Sequence, residues 1–307
     1  MAAIFIVLVL VIMALVYIFC TAFVRGYNKD VEKMTEGTTG FLCGYKDLIK
    51  KGIEFINSTE HKDVYINSFD GLKLHGCYYE HQGSEKTIII FHGYRSAAKR
   101  DFSCAVEMYL NFGFNVLLVD QRSHGKSEGR LITYGIKERF DVKFWIDYVI
   151  NTYGEKVQIF LGGLSMGATT VVMSLGCDLP HNVKGVIADS GFSSPWEIIG
   201  RVSEKTYKIS SKISLPLIDF MAKIIGRFSI YDVDCNEVVK KNKIPILFIH
   251  GDGDSFVPCD MTREMYKNNL GDKRLVIVEK ADHGCAFLVD QVLVKKELGD
   301  FFNSYSK

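Results

Sequence analysis

The sequence is short of several things, and each shortage excludes a class of protein. It has no charge of one sign to spare: 37 basic against 36 acidic side chains leave a formal net charge of +1 over 307 residues. Nucleic-acid binding usually shows as a strong basic excess, so no nucleic-acid partner is expected. No internal repeat and no low-complexity tract is present, which sets aside solenoids and unstructured linkers. The eight cysteines are scattered without a C-x-x-C pair, the pattern of reduced thiols rather than a disulfide frame. No spacing of His and Cys fits a metal site. Gly125-Lys126-Ser127 ends like a phosphate-binding loop, but position 120, where that loop needs glycine, is Asp120. Neither a metal nor a cofactor is expected.

Charge is also missing from the start of the chain. Met1 to Val24 is almost wholly apolar and carries no charged side chain, and about 20 such residues span a bilayer core as a helix. A cleaved signal peptide would have a basic leader, a shorter apolar core and a small-residue cleavage site, all absent here. The expectation is a single-pass membrane anchor over residues 1–25. A juxtamembrane segment over 26–61 follows, with a short helix around Tyr45 to Phe55, and then one α/β domain over 62–307. Arg25, Lys29 and Lys33 follow the span, so the positive-inside rule puts the domain on the cytoplasmic side of the cell membrane.

What is present is a regular alternation of strands and helices. Val64 to Glu80 alternates around Asp70-Gly71, a hairpin signal. Thr87 to Phe91, Asn115 to Val119, Ile159 to Leu161, Val183 to Ala188, Ile244 to Ile249 and Lys273 to Val278 read as buried strands. Between them Ala97 to Phe112 has helical spacing, and Ile136, Phe140, Phe144, Trp145 and Val149 form a core stripe at helical period. A closing helix carries Val289, Val292, Leu293, Leu298, Phe301 and Phe302. This predicts a doubly wound, mostly parallel sheet with an antiparallel hairpin at its start. Gly191 to Lys243 holds no strand but many apolar residues, among them Trp196, Leu215 and Phe220. A structureless loop of that length is uncommon in a compact domain, so a helical cap (about 191–243) is expected to wall a substrate pocket.

The centre of the pattern is Gly163-Leu164-Ser165-Met166-Gly167, set between the strand at Ile159 and a helix starting at Met166. G-x-S-x-G marks a sharp strand-to-helix turn that holds the serine at its apex, with the helix N-terminus aimed where negative charge would develop. Three positions alone are a weak signal, and the partners decide. A serine hydroxyl needs an adjacent base, and in this arrangement the chain order is Ser, then acid, then His. Only His283 follows both Ser165 and the strand ending at Ile249. Asp254 is the acid of choice over Asp252, which sits in a tight turn where aspartate often only shapes the backbone. Backbone amides of Met166 and Tyr94 are the expected oxyanion hole, and Gly93, Trp196 and Phe256 are the expected substrate contacts. His92 is expected to be a structural hydrogen-bonding residue, and Asp120, Arg122 and His124 to shape the loop beside the pocket. Cys259 and Cys285 have no base to activate them.

The motifs H-G-Y-R at 92–95, D-Q-R-S-H-G-K-S-E-G at 120–129, G-L-S-M-G at 163–167, H-G-D-G-D-S-F-V-P at 250–258 and A-D-H-G at 281–284 resemble the α/β-hydrolase superfamily. Within it the likeness is to the serine-aminopeptidase-like and monoacylglycerol-lipase-like group, especially its membrane-anchored bacterial members. The resemblance implies cofactor-free hydrolysis of an ester, thioester or amide through an acyl-serine. The apolar cap favours a small-molecule or lipid ester (acylglycerol or lysophospholipid-like). A serine aminopeptidase is the alternative, with Glu197, Glu204 or Asp219 holding the substrate amine. A catalytically silent hydrolase fold used for binding is the remaining one.

Overall fold

The computed structural model describes residues 2–25 and 44–306. The stretch 26–43, half of the expected juxtamembrane segment, lies outside the described residues. A first helix, α1, covers Ala2–Phe23. Among the residues whose side chains are described, no helix is long and apolar enough to cross a membrane, so the expected transmembrane helix is not found as such. Its last turns are taken up by the domain, with Phe19 and Phe23 buried. That leaves ~17 residues ahead of Phe19, about 26 Å of helix, against a hydrocarbon core of about 30 Å.

Helix α2 (Lys46–Ser58) forms where a short helix was expected, with Ile49, Ile53 and Ile56 on its buried side. The hairpin follows as β1 (Lys62–Asn67) and β2 (Lys73–Tyr79), paired antiparallel. Strand β3 (Lys86–Phe91) leads into α3 (Ala98–Asp101) and α4 (Ser103–Asn111). These replace the single helix expected over Ala97 to Phe112, because the chain breaks at Phe102 (φ −114°, ψ 10°). The break leaves the Asp101 carboxylate to accept a hydrogen bond from the Gly93 amide at 2.8 Å. Then come β4 (Asn115–Val119), α5 (Glu138–Tyr153), β5 (Gln158–Leu164), α6 (Met166–Ser174) and β6 (Val183–Asp189).

The cap is helical, made of α7 (Pro195–Lys205), α8 (Ser211–Met221) and α9 (Cys235–Val239), with a π-helical turn at Ala222–Gly226. Strand β7 (Ile246–Gly251), α10 (Cys259–Asn268), β8 (Lys273–Val278), α11 (Ala286–Val289) and α12 (Gln291–Tyr305) complete the chain. β7 starts two residues later than expected because Pro245 has no N–H for the ladder; its carbonyl still accepts from the Val186 amide at 2.9 Å.

The eight strands form one sheet in the order β1-β2-β4-β3-β5-β6-β7-β8. It is parallel from β4 through β8 and antiparallel at β1, β2 and β4. One face packs against α5, α6, α9 and α10 and the other against α2, α4 and α12. A third apolar cluster joins the end of α1 to the cap and to Met166. Two expected core residues are outside: Val292 is 81% exposed, and Phe140, 37% exposed, meets Phe69 edge-on at the surface.

Candidate active site

Strand β5 ends at Leu164 and α6 begins at Met166, so the whole reversal falls on Ser165, at φ 54° and ψ −117°. A non-glycine residue held there is strained. The turn closes only because its flanks have no side chains. A Cβ on Gly163 would lie 2.3 Å from the Gly167 carbonyl carbon, and one on Gly167 would lie 1.9 Å from the Phe91 carbonyl oxygen.

The structure brings Ser165, His283 and Asp254 together. His283 Nε2 lies 2.9 Å from Ser165 Oγ, and His283 Nδ1 lies 2.7 Å from Asp254 Oδ2. With the Nδ1–H donated to the carboxylate, Nε2 is free to accept the serine proton. Asp254 is held from every side: Oδ1 accepts from the amides of Phe256 and Val257, at 2.9 and 2.8 Å. Burial alone would raise its pKa, but hydrogen bonds from His250 and His283, with their charge, hold the carboxyl well below the usual carboxylate range. Asp252 does the other job, its Oδ1 accepting from the Lys280 amide at 2.6 Å to shape the turn.

Around the expected oxyanion position the loop after β3 is pinned so that one amide is left over. The Gly93 amide donates to Asp101 and the Arg95 amide to His124 Nε2, at 2.8 and 3.0 Å. Between them, the Tyr94 N–H has no acceptor among the described residues, and neither has the Met166 N–H at the start of α6. His124 keeps its acceptor nitrogen because burial, with His92 beside it, pushes its pKa down to about 3. His92, fully buried, donates from Nδ1 to the Gly93 carbonyl and accepts from the Gln121 amide. Arg122 clamps the neighbouring loop through paired bonds to Asp141, both 2.7 Å, and contacts to Asp70.

Sequence reasoning missed three residues and one segment that hold this arrangement. His250 Nε2 lies 3.1 Å from both Asp254 Oδ2 and the Val257 carbonyl; it stood in the quoted motif without a role. Asp282 ties the two loops by accepting from the Ser255 and His283 amides. Asp101 positions Gly93, as above. The fourth signal was hidden in the N-terminal stretch: the end of α1 grips the oxyanion loop. Tyr94 Oη donates to the Ala22 carbonyl at 2.8 Å, and Arg95 donates to the Val24 carbonyl at 2.9 Å. Arg25 reaches back to the Gly125 and Ser127 carbonyls.

A cavity of about 320 Å³ opens at Ser165 and His283. Gly93 and Phe256 line it, and the Phe256 ring meets His283 edge-on at 5.2 Å. Trp196 does not; its ring packs 6.1 Å from Tyr231 within the cap. No residue of the expected cap span lines this cavity, whose walls come from α2, α4, α11 and α12 instead. The cap acids are also elsewhere. Glu197 accepts from Ser193 and Ser194, Glu204 from the Ser211 amide, and Asp219 pairs with Lys223 and Ser229. Two acids do line the cavity beside Ser165: Asp101, which accepts from the Gly93 amide and the Ser96 hydroxyl, and Asp189, whose carboxyl burial pushes up to about 6 despite a hydrogen bond from Ser190. Burial also raises the thiols of Cys285, to about 12, and of Cys259, so neither is a ready thiolate. The side chains of His61, Asp63 and Cys77 do converge, but Asp63 is already paired with Lys126 and His75.

A mostly parallel eight-stranded sheet, helices on both faces and a strained serine elbow at a strand end make this the α/β-hydrolase fold. The α/β hydrolase GrgF of Penicillium sp. sh18 shares the fold at 16% identity, with a TM-score of 0.64 over 80% of this chain and 99% of that one. More particular likenesses point the same way. The family model for serine aminopeptidases of the S33 group matches residues 82–230. The esterase Pf2001 of Pyrococcus furiosus is 27% identical in sequence with a TM-score of 0.69, covering 93% of this chain and 99% of its own. YqkD of Bacillus subtilis strain 168, an uncharacterized protein, is 27% identical over 266 residues, 84% of this chain and 87% of YqkD. These likenesses support a hydrolase.

Proposed function

We propose that the protein is a serine hydrolase that cleaves carboxylic esters through an acyl-serine intermediate. One observation carries this: a continuous hydrogen-bonded line from Ser165 through His283 to Asp254, beside two amides that have no acceptor among the described residues. Ser165 Oγ attacks the ester carbonyl while its proton passes to His283 Nε2. The carbonyl oxygen, now negative, is held by the Tyr94 and Met166 amides, and removing one such donor typically costs about 10²–10³ in kcat. The imidazolium returns the proton to the departing alkoxide. A water, deprotonated by the same nitrogen, then releases the acid and restores the serine. Asp254 holds the ring in one tautomer and stabilises its charged form throughout. Ser165→Ala is expected to abolish covalent labelling by a fluorophosphonate probe while the melting transition stays; a variant that still labels has another nucleophile.

Amide hydrolysis is the second reading, favoured by the match to the serine-aminopeptidase family model. It needs an anion for the substrate amine: Glu197, Glu204 and Asp219 are engaged within the cap, and the acids that line the cavity, Asp101 and Asp189, already accept from the Gly93 amide and the Ser190 hydroxyl. Ester cleavage is therefore preferred.

The uncharged stretch ahead of the domain is proposed to anchor it to the cell membrane in a single pass, with the domain on the cytoplasmic side. The proposal rests on composition and on Arg25, Lys29 and Lys33 following the stretch. A span of ~17 residues is at the short limit, a mismatch that local thinning accommodates at modest cost. Full-length protein should stay with membranes through an alkaline carbonate wash and resist protease added outside sealed inside-in vesicles; release by the wash would remove the anchor, and digestion from outside the orientation.

A further inference from the structure

The cavity beside Ser165 leads away from the cap, and its course says which half of the substrate it takes. Its lining takes in Leu164 and Ile187 at the sheet, Met108 on α4, Leu288 and Leu298 at the C-terminal helices, and Ile49 on α2. The roof over its far end is held close. Gly52 of α2 lies so near α4 that a Cβ there would come 2.7 Å from the Ser103 carbonyl carbon, and Ile49, Ile53 and Ile56 are all buried beneath it.

We propose that this recess is the acyl-chain site of the hydrolase and selects unbranched acyl groups of medium length; the inference rests on Ser165 being the nucleophile. During turnover the acyl carbon stays bonded to Ser165 Oγ through two half-reactions, whereas the alcohol must leave and water must enter. A recess that starts at the serine and runs inward between packed helices suits the group that stays. Its wall is mostly apolar, with Ser96, Arg100, Asp101 and Asp189 as polar lining and both carboxylates already hydrogen-bonded, so a hydrocarbon chain gains burial against the apolar part. The volume of about 320 Å³ holds roughly ten groups the size of a water or a methylene. That places the best chain at about eight to ten carbons, while a chain of sixteen overfills it.

The test is a chain-length series of p-nitrophenyl esters, from acetyl to palmitoyl, assayed with the detergent-solubilised full chain. Wild type is expected to peak at the octanoyl or decanoyl ester. Met108→Trp, which fills the middle of the recess, is expected to lower the ratio of decanoyl to acetyl turnover by at least about ten-fold, the discrimination that one or two methylenes carry in an apolar pocket. Leu288→Trp, at a less buried position on the same wall, should shift the optimum the same way and guards against misfolding of the first variant. Fluorophosphonate labelling run alongside separates the two claims. A labelled protein whose chain-length profile is the same in wild type and both variants overturns the acyl site alone. A wild type that does not label overturns the serine-hydrolase reading and the acyl site with it.

Discussion

Ser165 stands between two walls of opposite construction. On the side of the cap and α1, the space is filled: Phe23 is fully buried, with Tyr134 and Phe228 edge-on at 5.6 and 5.4 Å, and Met166 and Phe192 complete the same cluster. On the side of α2, α4 and α12, a cavity of about 320 Å³ is left among side chains that are mostly apolar, with Ser96, Arg100, Asp101 and Asp189 among them. Cores are packed close to crystal density, and a void of that size forgoes contacts its lining atoms could have made. The filled wall fixes the Tyr94 amide, which must not move; the hollow wall meets the substrate, which must fit. Both sides are largely apolar, so it is packing more than hydrophobicity that separates scaffold from site.

The comparison breaks most readily at Tyr94, where the filled wall meets the chemistry. Its hydroxyl donates to the Ala22 carbonyl, one of the last acceptors of α1, which a helix end leaves without an internal partner. Tyr94→Phe keeps the ring and the backbone amide but loosens the loop that carries it. The expected outcome is a loss of about ten-fold in kcat with KM little changed, below the ~10²–10³ of losing an oxyanion donor outright. Stability should fall by about 0.5–1.5 kcal/mol, the net worth of one hydrogen bond, because the part-buried Ala22 carbonyl still accepts from the Tyr134 hydroxyl. Steady-state kinetics on an ester substrate with thermal unfolding in parallel checks both. A kcat equal to wild type with lowered stability would leave the filled wall as packing alone.

How much of this was legible beforehand follows from how each feature is encoded. The strand ends and the order Ser165, Asp254, His283 were readable because each lies in a compact motif at the end of a buried run, where topology leaves few places for a side chain to go. The distinction between Asp252 and Asp254 was drawn from turn chemistry, and Asp252 does accept from the Lys280 amide within the turn. The hollow wall was not, since Ile49, Met108, Ile187 and Leu298 are far apart in sequence and each looks like an ordinary core residue. Nor was the docking of α1, because an apolar, uncharged stretch has the same composition whether lipid or protein surrounds it. Trp196 was assigned to the pocket on the premise that the cap walls it; the ring packs on Tyr231 instead.

The last comparison between the walls concerns water. Asp189 sits where the hollow wall begins, and burial holds its carboxyl at about 6 instead of 3.8. Below about pH 4 both the native and the unfolded chain hold the proton, and the acid costs nothing. As pH rises from about 4 to about 6 the unfolded chain releases the proton first, so native stability falls through this window. Above it the native state carries the whole cost of a buried anion. Asp189→Asn keeps an oxygen for the Ser190 hydroxyl and removes the titration. The variant should therefore match wild type near pH 4 and exceed it at pH 8 by between about 1 and 3 kcal/mol, at about 1.4 kcal/mol per pKa unit. Unfolding measured at pH 4, 6 and 8 checks the sign as well as the size. A difference that stays constant across that range would mean the carboxylate ionises as it does in water. The hollow wall would then be wet, and a dry recess for hydrocarbon would be lost with it.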